Sequence, residues 1–181
     1  MKNFTSELSV GAYLKAGANK TVRTLSQLKD LYSNREEVNR ILENEDPVLY
    51  EVFEMPPSPK ETDLLVNITV LHAGVVGEEP FMTKGHFHQD PDTGEVVIGL
   101  KGSGILLLQN RKGEIQEFPV EEGKVSYAAG GWGHRVINTG KEDLHFLAIS
   151  GANMIHDYET AVKLNFKSLP VENKERISAN E

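Results

Sequence analysis

From Gly94 to Gly151 the chain reads GEVVIGLKGSGILLLQNRKGEIQEFPVEEGKVSYAAGGWGHRVINTGKEDLHFLAISG. Short runs of Val, Ile, Leu and Phe alternate with GSG, NRKG, EEG, GG and NTGKED. The punctuation recurs about every 8–12 residues, the signature of an antiparallel β-sandwich or barrel. This constrains the fold more than any other feature. Upstream, PVLYEVFEM alternates with period two, and DLLVNITVLHAG is rich in β-branched residues, so strands begin at Val48.

The flanks read differently. Residues 1–22 are mixed and expected to be extended. TLSQLKDLY opens a helix with Thr24 and Gln27 at capping-box spacing. NREEVNRILENEDP repeats the signal with Asn34 and Glu37, places Val38, Ile41 and Leu42 on one face, and is stopped by Pro47. Pro56 to Asp63, with Pro56, Pro57 and Pro59, reads as a loop. HDYETAVKL reads as a short helix, and the tail from Pro170 to Glu181 as polar and frayed. The expected organisation is one domain over residues 1–181. It has a barrel core at about 48–152, a strand and helix extension over 1–47, and a helix and tail over 153–181.

Composition excludes several classes of function. A chain of 181 residues can bury a proper core. It has no cysteine, which rules out disulfides, zinc–thiolate sites and thiol nucleophiles. A net charge of −8 opposes binding to nucleic acid. MKNFTSELSVGAYLKAG contains no long apolar segment, and no stretch approaches a membrane span, so the expectation is a soluble cytoplasmic protein.

The chemistry concentrates in KGHFHQDPDTGEVVIGL. Residues i and i+2 of a strand share a face, so His86 and His88 project together and Phe87 points away. The turn QDPDTG would close a hairpin returning Glu95 beside His88. His134, in GGWGHRVIN, would complete the set from another strand. Three imidazoles and a carboxylate suit Fe²⁺, Mn²⁺, Zn²⁺ or Ni²⁺, and ligand type does not choose among them.

The wider spacing resembles the cupin superfamily. The second cupin motif is met by GKVSYAAGGWGHRVIN, Gly123 to Asn138, with Ala129 in place of its proline. In the first motif Pro80 holds the leading glycine position, His86, His88, Glu95 and Gly102 are present, and the insert between His88 and Glu95 is longer than usual. The resemblance implies an all-β fold, a double-stranded β-helix or jelly-roll barrel.

EDPVLYEVFE, FMTKGHFH, LKGSGILLLQ, GGWGHRVINTG and FLAISGANMIHDYETA resemble the cupin-type glucose-6-phosphate isomerases, over about Thr21 to Phe166. That likeness implies interconversion of glucose 6-phosphate and fructose 6-phosphate in glycolysis and gluconeogenesis, by a homodimer. It implies one divalent metal per subunit, Fe²⁺ first, at His86, His88, Glu95 and His134. The phosphate side maps to Tyr50, Thr69, Thr83 and Gly85, with Lys84 able to add charge. His156 and Tyr158 line the sugar pocket as catalytic candidates with Glu95. Threonine and tyrosine hydroxyls and a glycine N–H are the donors a phosphate dianion needs. Two positions depart from the family. Val97 and Ser150 stand where tyrosines are usual, which removes aromatic donors from the expected pocket. Rival readings are an isomerase of another sugar phosphate, a sugar-phosphate-binding cupin without turnover, an iron cupin dioxygenase using the same four ligands, and a storage cupin.

Overall fold

The computed structural model describes residues 5–55, 63–164 and 166. Most of the expected Pro56 to Asp63 loop, and the whole tail from Pro170, lie outside the described residues. The elements are α1 (Val10–Lys15), β1 (Asn19–Thr24), α2 (Leu25–Leu28), α3 (Arg35–Leu42), β2 (Val48–Glu54), β3 (Leu64–Leu71), β4 (Val75–Val76), β5 (Glu79–Pro80), β6 (Phe87–His88), β7 (Glu95–Lys101), β8 (Ser103–Asn110), β9 (Ile115–Glu121), β10 (Val125–Ala128), β11 (Trp132–Asn138), β12 (Leu144–Gly151), β13 (His156–Asp157) and α4 (Tyr158–Lys163).

The strands form a six-stranded sheet, β1-β2-β3-β12-β7-β10, and a three-stranded sheet, β11-β8-β9, with two small pairs, β6-β13 and β4-β5. Every strand pair is antiparallel, so the expected all-β class holds. Alternation along each strand assigns the faces of the large sheet. Val52, Thr69 and Phe146 form one cross-strand row and face inward. Phe53, Ile68 and Leu147 form the next row and face outward. The main core cluster includes Leu49, Leu71, Leu106, Leu107, Ile137 and Leu144. A second cluster on the outer face joins Phe53, Ile68, Val70 and Leu147 to Tyr13.

Tyr13 explains why the N-terminal reading needs correction. Residues 10–15 are helical, not extended. Ser9 Oγ accepts the Ala12 N–H at 3.2 Å, and Tyr13 is anchored in the outer cluster. Residues 19–22 are extended as expected, and the strand runs on to Thr24, adding β1 to the large sheet's edge. The helix expected from Thr24 does start there, with the Thr24 N–H donating to Gln27 Oε1 at 3.1 Å. It stops at Leu28 and tightens into a 3₁₀ turn over Lys29–Leu31. α3 is capped by Asn34, whose Oδ1 accepts the Glu37 N–H at 3.0 Å. It ends at Leu42, before Pro47, whose carbonyl accepts the Leu25 N–H at 2.9 Å.

The second correction concerns QDPDTG. Glu95 does not pair with His88 in a hairpin. β7 has both edges occupied, by β12 and β10, so β6 pairs with β13 instead. The turn closes on itself. Asp90 accepts from the Asp92 N–H at 3.0 Å and the Thr93 hydroxyl at 3.2 Å.

Asn138 ties the two sheets together. Its buried side-chain amide donates to the carbonyls of Leu71 (3.0 Å) and Glu142 (2.9 Å) and accepts the Gly140 N–H (2.9 Å); the bond to Leu71 is fully buried and the other two are part-buried. Asn138→Ala leaves the buried Leu71 carbonyl without that partner and removes the part-buried bonds to Glu142 O and the Gly140 N–H. Urea unfolding is expected to show a loss of about 2–4 kcal/mol with an unchanged m-value.

Candidate active site

His86 and His134 meet across an isolated antiparallel bridge. The His86 N–H donates to His134 O at 3.2 Å, and the His134 N–H returns to His86 O at 2.9 Å. This sets the two rings edge to face with centroids 4.4 Å apart. Phe87 points the opposite way, as alternation requires. It packs on Gly133, where any Cβ would lie 2.5 Å from its ring, and it fills the core. His88 lies on the ligand side, its ring centroid 5.3 Å from that of His86 and 5.0 Å from that of His134. Its Nδ1 is 2.8 Å from the Thr93 carbonyl and therefore carries the proton, which leaves the Nε2 lone pair facing the cluster. Glu95, first residue of β7, supplies the carboxylate from the opposite sheet. Its oxygens lie 3.5 Å from His134 Nε2 and 3.8 Å from His88 Nε2.

These separations exceed good hydrogen bonds. The Nε2 atoms of His86, His88 and His134 are buried with no hydrogen-bond partner among the described residues. One ligand atom from each of the four residues falls within 4.8 Å of all the others. Donors about 2.1 Å from a common ion would be about 3–4 Å apart, so the arrangement fits a divalent cation. Burial, with the neighbouring imidazoles His134, His156 and His88, holds His86 well below its ordinary pKa. Burial also lowers His88. Both therefore present neutral lone pairs. Burial raises Glu95, but His134 and His88 outweigh it and keep the carboxyl below its usual range.

The cluster opens onto a cavity of about 240 Å³ lined from the inner face of the large sheet. Tyr50, Thr69, Thr83, Lys84, Gly85, His86, Glu95, His134, His156 and Tyr158 all line it, so the expected residues are brought together. His88 lies behind them and does not line it. Val97 and Ser150 do not line it either. Val97 is packed in the main core, and Ser150 is buried opposite Glu95. Lys84 Nζ sits 3.9 Å above the Tyr158 ring, whose hydroxyl is 3.1 Å from His156 Nδ1. The His156 ring in turn packs 3.9 Å from that of His86, and burial pulls its pKa down to about 4, so it is neutral at neutral pH. The sequence reading missed Arg23, Glu54 and Asn67, which also line the cavity. Glu54 and Asn67 lie at even spacing from Tyr50 and Thr69, so strand alternation could have found them. Arg23 stands on β1 opposite Tyr50, and no motif marks it.

The family model described as Glucose-6-phosphate isomerase (GPI) matches residues 22–175. The chain belongs to the glucose-6-phosphate isomerase family. A relative of that name from Pyrococcus horikoshii is 46% identical over 156 residues, 86% of this chain and 82% of its own length. Another from Sinorhizobium medicae is 34% identical over 158 residues, 87% of this chain and 73% of its own. Among solved structures, an oxalate oxidase aligns with 60% of this chain and 54% of its own at 14% identity and a TM-score of 0.49. No helix among the described residues is long and apolar enough to cross a membrane.

A cation that binds only the folded isomerase must stabilise it, by about 2.7 kcal/mol at one hundred times Kd. Mn²⁺ or Zn²⁺ is expected to raise the Tm of metal-stripped protein, and His134→Ala to remove that rise. A rise of equal size in the variant would place the cation elsewhere.

Proposed function

We propose that this isomerase converts glucose 6-phosphate to fructose 6-phosphate, and back, with one divalent ion held by His86, His88, Glu95 and His134. Fe²⁺ is the first candidate, and Mn²⁺, Zn²⁺ and Ni²⁺ are alternatives. The observation that carries the reading is one cavity holding two unlike features. A buried cluster of partnerless imidazole nitrogens faces a carboxylate, and beside it lie Lys84, the Thr83 hydroxyl and the turn at Gly85. The same proposal takes the chain as one cupin domain with its barrel core at about 48–152, acting as a cytoplasmic homodimer in glycolysis and gluconeogenesis. The homodimer and the pathway rest on the family resemblance, and the domain bounds on the strand and turn pattern.

The chain's own groups divide the work. Thr83 Oγ1 accepts the Val136 N–H at 3.0 Å, so its proton is free to donate to a phosphate oxygen. Lys84 adds the charge, and the Tyr50 hydroxyl, 3.4 Å from the Lys84 N–H, lies at the same wall. Thr69 lines the cavity from β3, the strand beside that of Tyr50. A divalent ion would supply Lewis acidity to the oxygens on C1 and C2 of the open-chain sugar. Glu95 takes the proton from C2 and returns it to C1, while a second proton passes from the C2 oxygen to the C1 oxygen. Neutral His156, fixed by the Tyr158 hydroxyl, can hold that second proton at a ring nitrogen.

One observation favours a second path. Glu95 faces two imidazoles that keep its carboxyl below the usual range, which weakens it as a base. Direct transfer of hydrogen as hydride between C2 and C1 needs no base at carbon. Conversion of fructose 6-phosphate in D₂O separates the two: deuterium at C2 of the glucose 6-phosphate formed supports Glu95, and its absence in a single turnover supports the hydride path.

The deciding assay couples glucose 6-phosphate formation to a dehydrogenase, after chelation and then after return of each ion separately. Activity is expected to vanish with chelator and to return with at least one ion. Full activity in the chelated enzyme would overturn the metal assignment. Thr83→Ala is expected to raise KM about tenfold with little change in kcat, as loss of a donor to a charged group should.

A further inference from the structure

Residues Thr83 to His86 lie against β11 position by position. The Thr83 N–H donates to Val136 O at 2.9 Å, and Thr83 Oγ1 accepts from the Val136 N–H at 3.0 Å. His86 and His134 exchange bonds as described. Between these matched pairs the backbone is held by a side chain. Arg135 Nη2 donates to Lys84 O at 2.8 Å, and Nη1 donates to Phe166 O at 3.1 Å. Arg135 is 2% exposed. Burial lowers its pKa to about 10, so it is charged at neutral pH. A buried charge of this kind is costly unless it is well partnered.

The carbonyl that Arg135 grips belongs to the same peptide unit as the Gly85 N–H. In a trans peptide these two dipole ends point in opposite directions. Arg135 comes from the core side, and Gly85 lines the cavity. Drawing Lys84 O toward the core therefore aims the Gly85 N–H into the cavity. Gly85 has a φ of +71°, and a Cβ there would lie 3.0 Å from Arg135 Nε and 3.2 Å from its Cβ. The guanidinium thus packs directly beneath the turn, and only glycine suits the position. The N–H groups of Thr83, Lys84 and His86 are taken by Val136 O, the Tyr50 hydroxyl and His134 O. That of Gly85 has no acceptor among the described residues. A charged donor on the carbonyl also polarises the unit and strengthens its N–H as a donor.

We propose that Arg135 is a positioning residue for the substrate's phosphate: from beneath the turn it fixes and polarises the Gly85 N–H that meets a phosphate oxygen. The inference rests on the sugar-phosphate reading above.

The test compares Zn²⁺-loaded wild type, Arg135→Lys and Thr83→Ala. Lysine keeps the charge but loses the two-pronged grip. Arg135→Lys is expected to raise KM for fructose 6-phosphate and the inhibition constant of inorganic phosphate together, by about tenfold each. Its metal content and kcat should stay near wild type. A merely structural role would lower metal content and kcat and leave phosphate inhibition alone, which would overturn the proposal. If Arg135→Lys does not fold, the wild-type protein decides. On titration with inorganic phosphate, the assigned Gly85 amide should shift downfield, and a stationary amide under inhibiting phosphate rules the proposal out. Raised KM in Thr83→Ala with an unaffected Arg135→Lys overturns the Arg135 role and leaves the phosphate reading standing. Wild type that isomerises fructose 6-phosphate but is not inhibited by inorganic phosphate, with Thr83→Ala at normal KM, removes the phosphate reading and the Arg135 role with it.

Discussion

The paired hydrogen bonds between His86 and His134 are the joint on which the site depends. They bring a stretch with only two residues of regular strand onto the three-stranded sheet. Because the two residues sit directly opposite, their side chains leave the backbone on the same side. One cross-strand pair therefore delivers two imidazoles to one place. Glu95 approaches from the other sheet, so the four polar groups are assembled only when both sheets close. The Nε2 atoms of His86, His88 and His134, buried without a hydrogen-bond partner among the described residues, are a standing cost on the order of 1–3 kcal/mol each. Cores such as that around Leu71, Leu106 and Ile137 carry this cost, and a bound cation would relieve it.

The same joint extends along β11. His134, Arg135 and Val136 each hold one part of the segment from Thr83 to His86, by main chain, side chain and main chain in turn. The groups proposed to face the metal and those proposed to face the phosphate thus share one rigid support. Their separation is set by a strand repeat of about 3.3 Å per residue and not by flexible side chains. This suits a reaction whose reacting carbons and phosphate lie at opposite ends of one small molecule.

The outer face of the large sheet has a different role. Tyr13 seals Phe53, Ile68 and Leu147 from water, and β1 follows at once to occupy the sheet's edge beside β2. That edge strand contributes Arg23 to the cavity wall. A segment that reads as a plain extension in the sequence is therefore part of both the sheet and the site lining.

Much of this was legible in advance. The turn-punctuated apolar runs announced antiparallel strands, and HxH, Glu95 and His134 announced a cluster with metal-ligand chemistry. Both signals are local: alternation and turn chemistry act within a few residues, and ligand character belongs to the side chain itself. The helix at α1 was not legible, because its anchor Tyr13 gains its partners only from strands far along the chain. The pairing of β6 with β13, in place of a hairpin with β7, depended on which strand edges were already occupied by β10 and β12. Val97 and Ser150 share the face of Ala148 and Glu95 by register, as alternation suggested, yet packing buries both and neither lines the cavity. Arg135 carries no motif, and its grip on Lys84 O exists only because β11 lies beneath the turn. The sequence by itself determined strand character and the donor atoms available, since those follow from neighbouring residues. Which donors meet, and which way a peptide N–H points, was decided by the tertiary structure, because only packing between distant segments sets those directions.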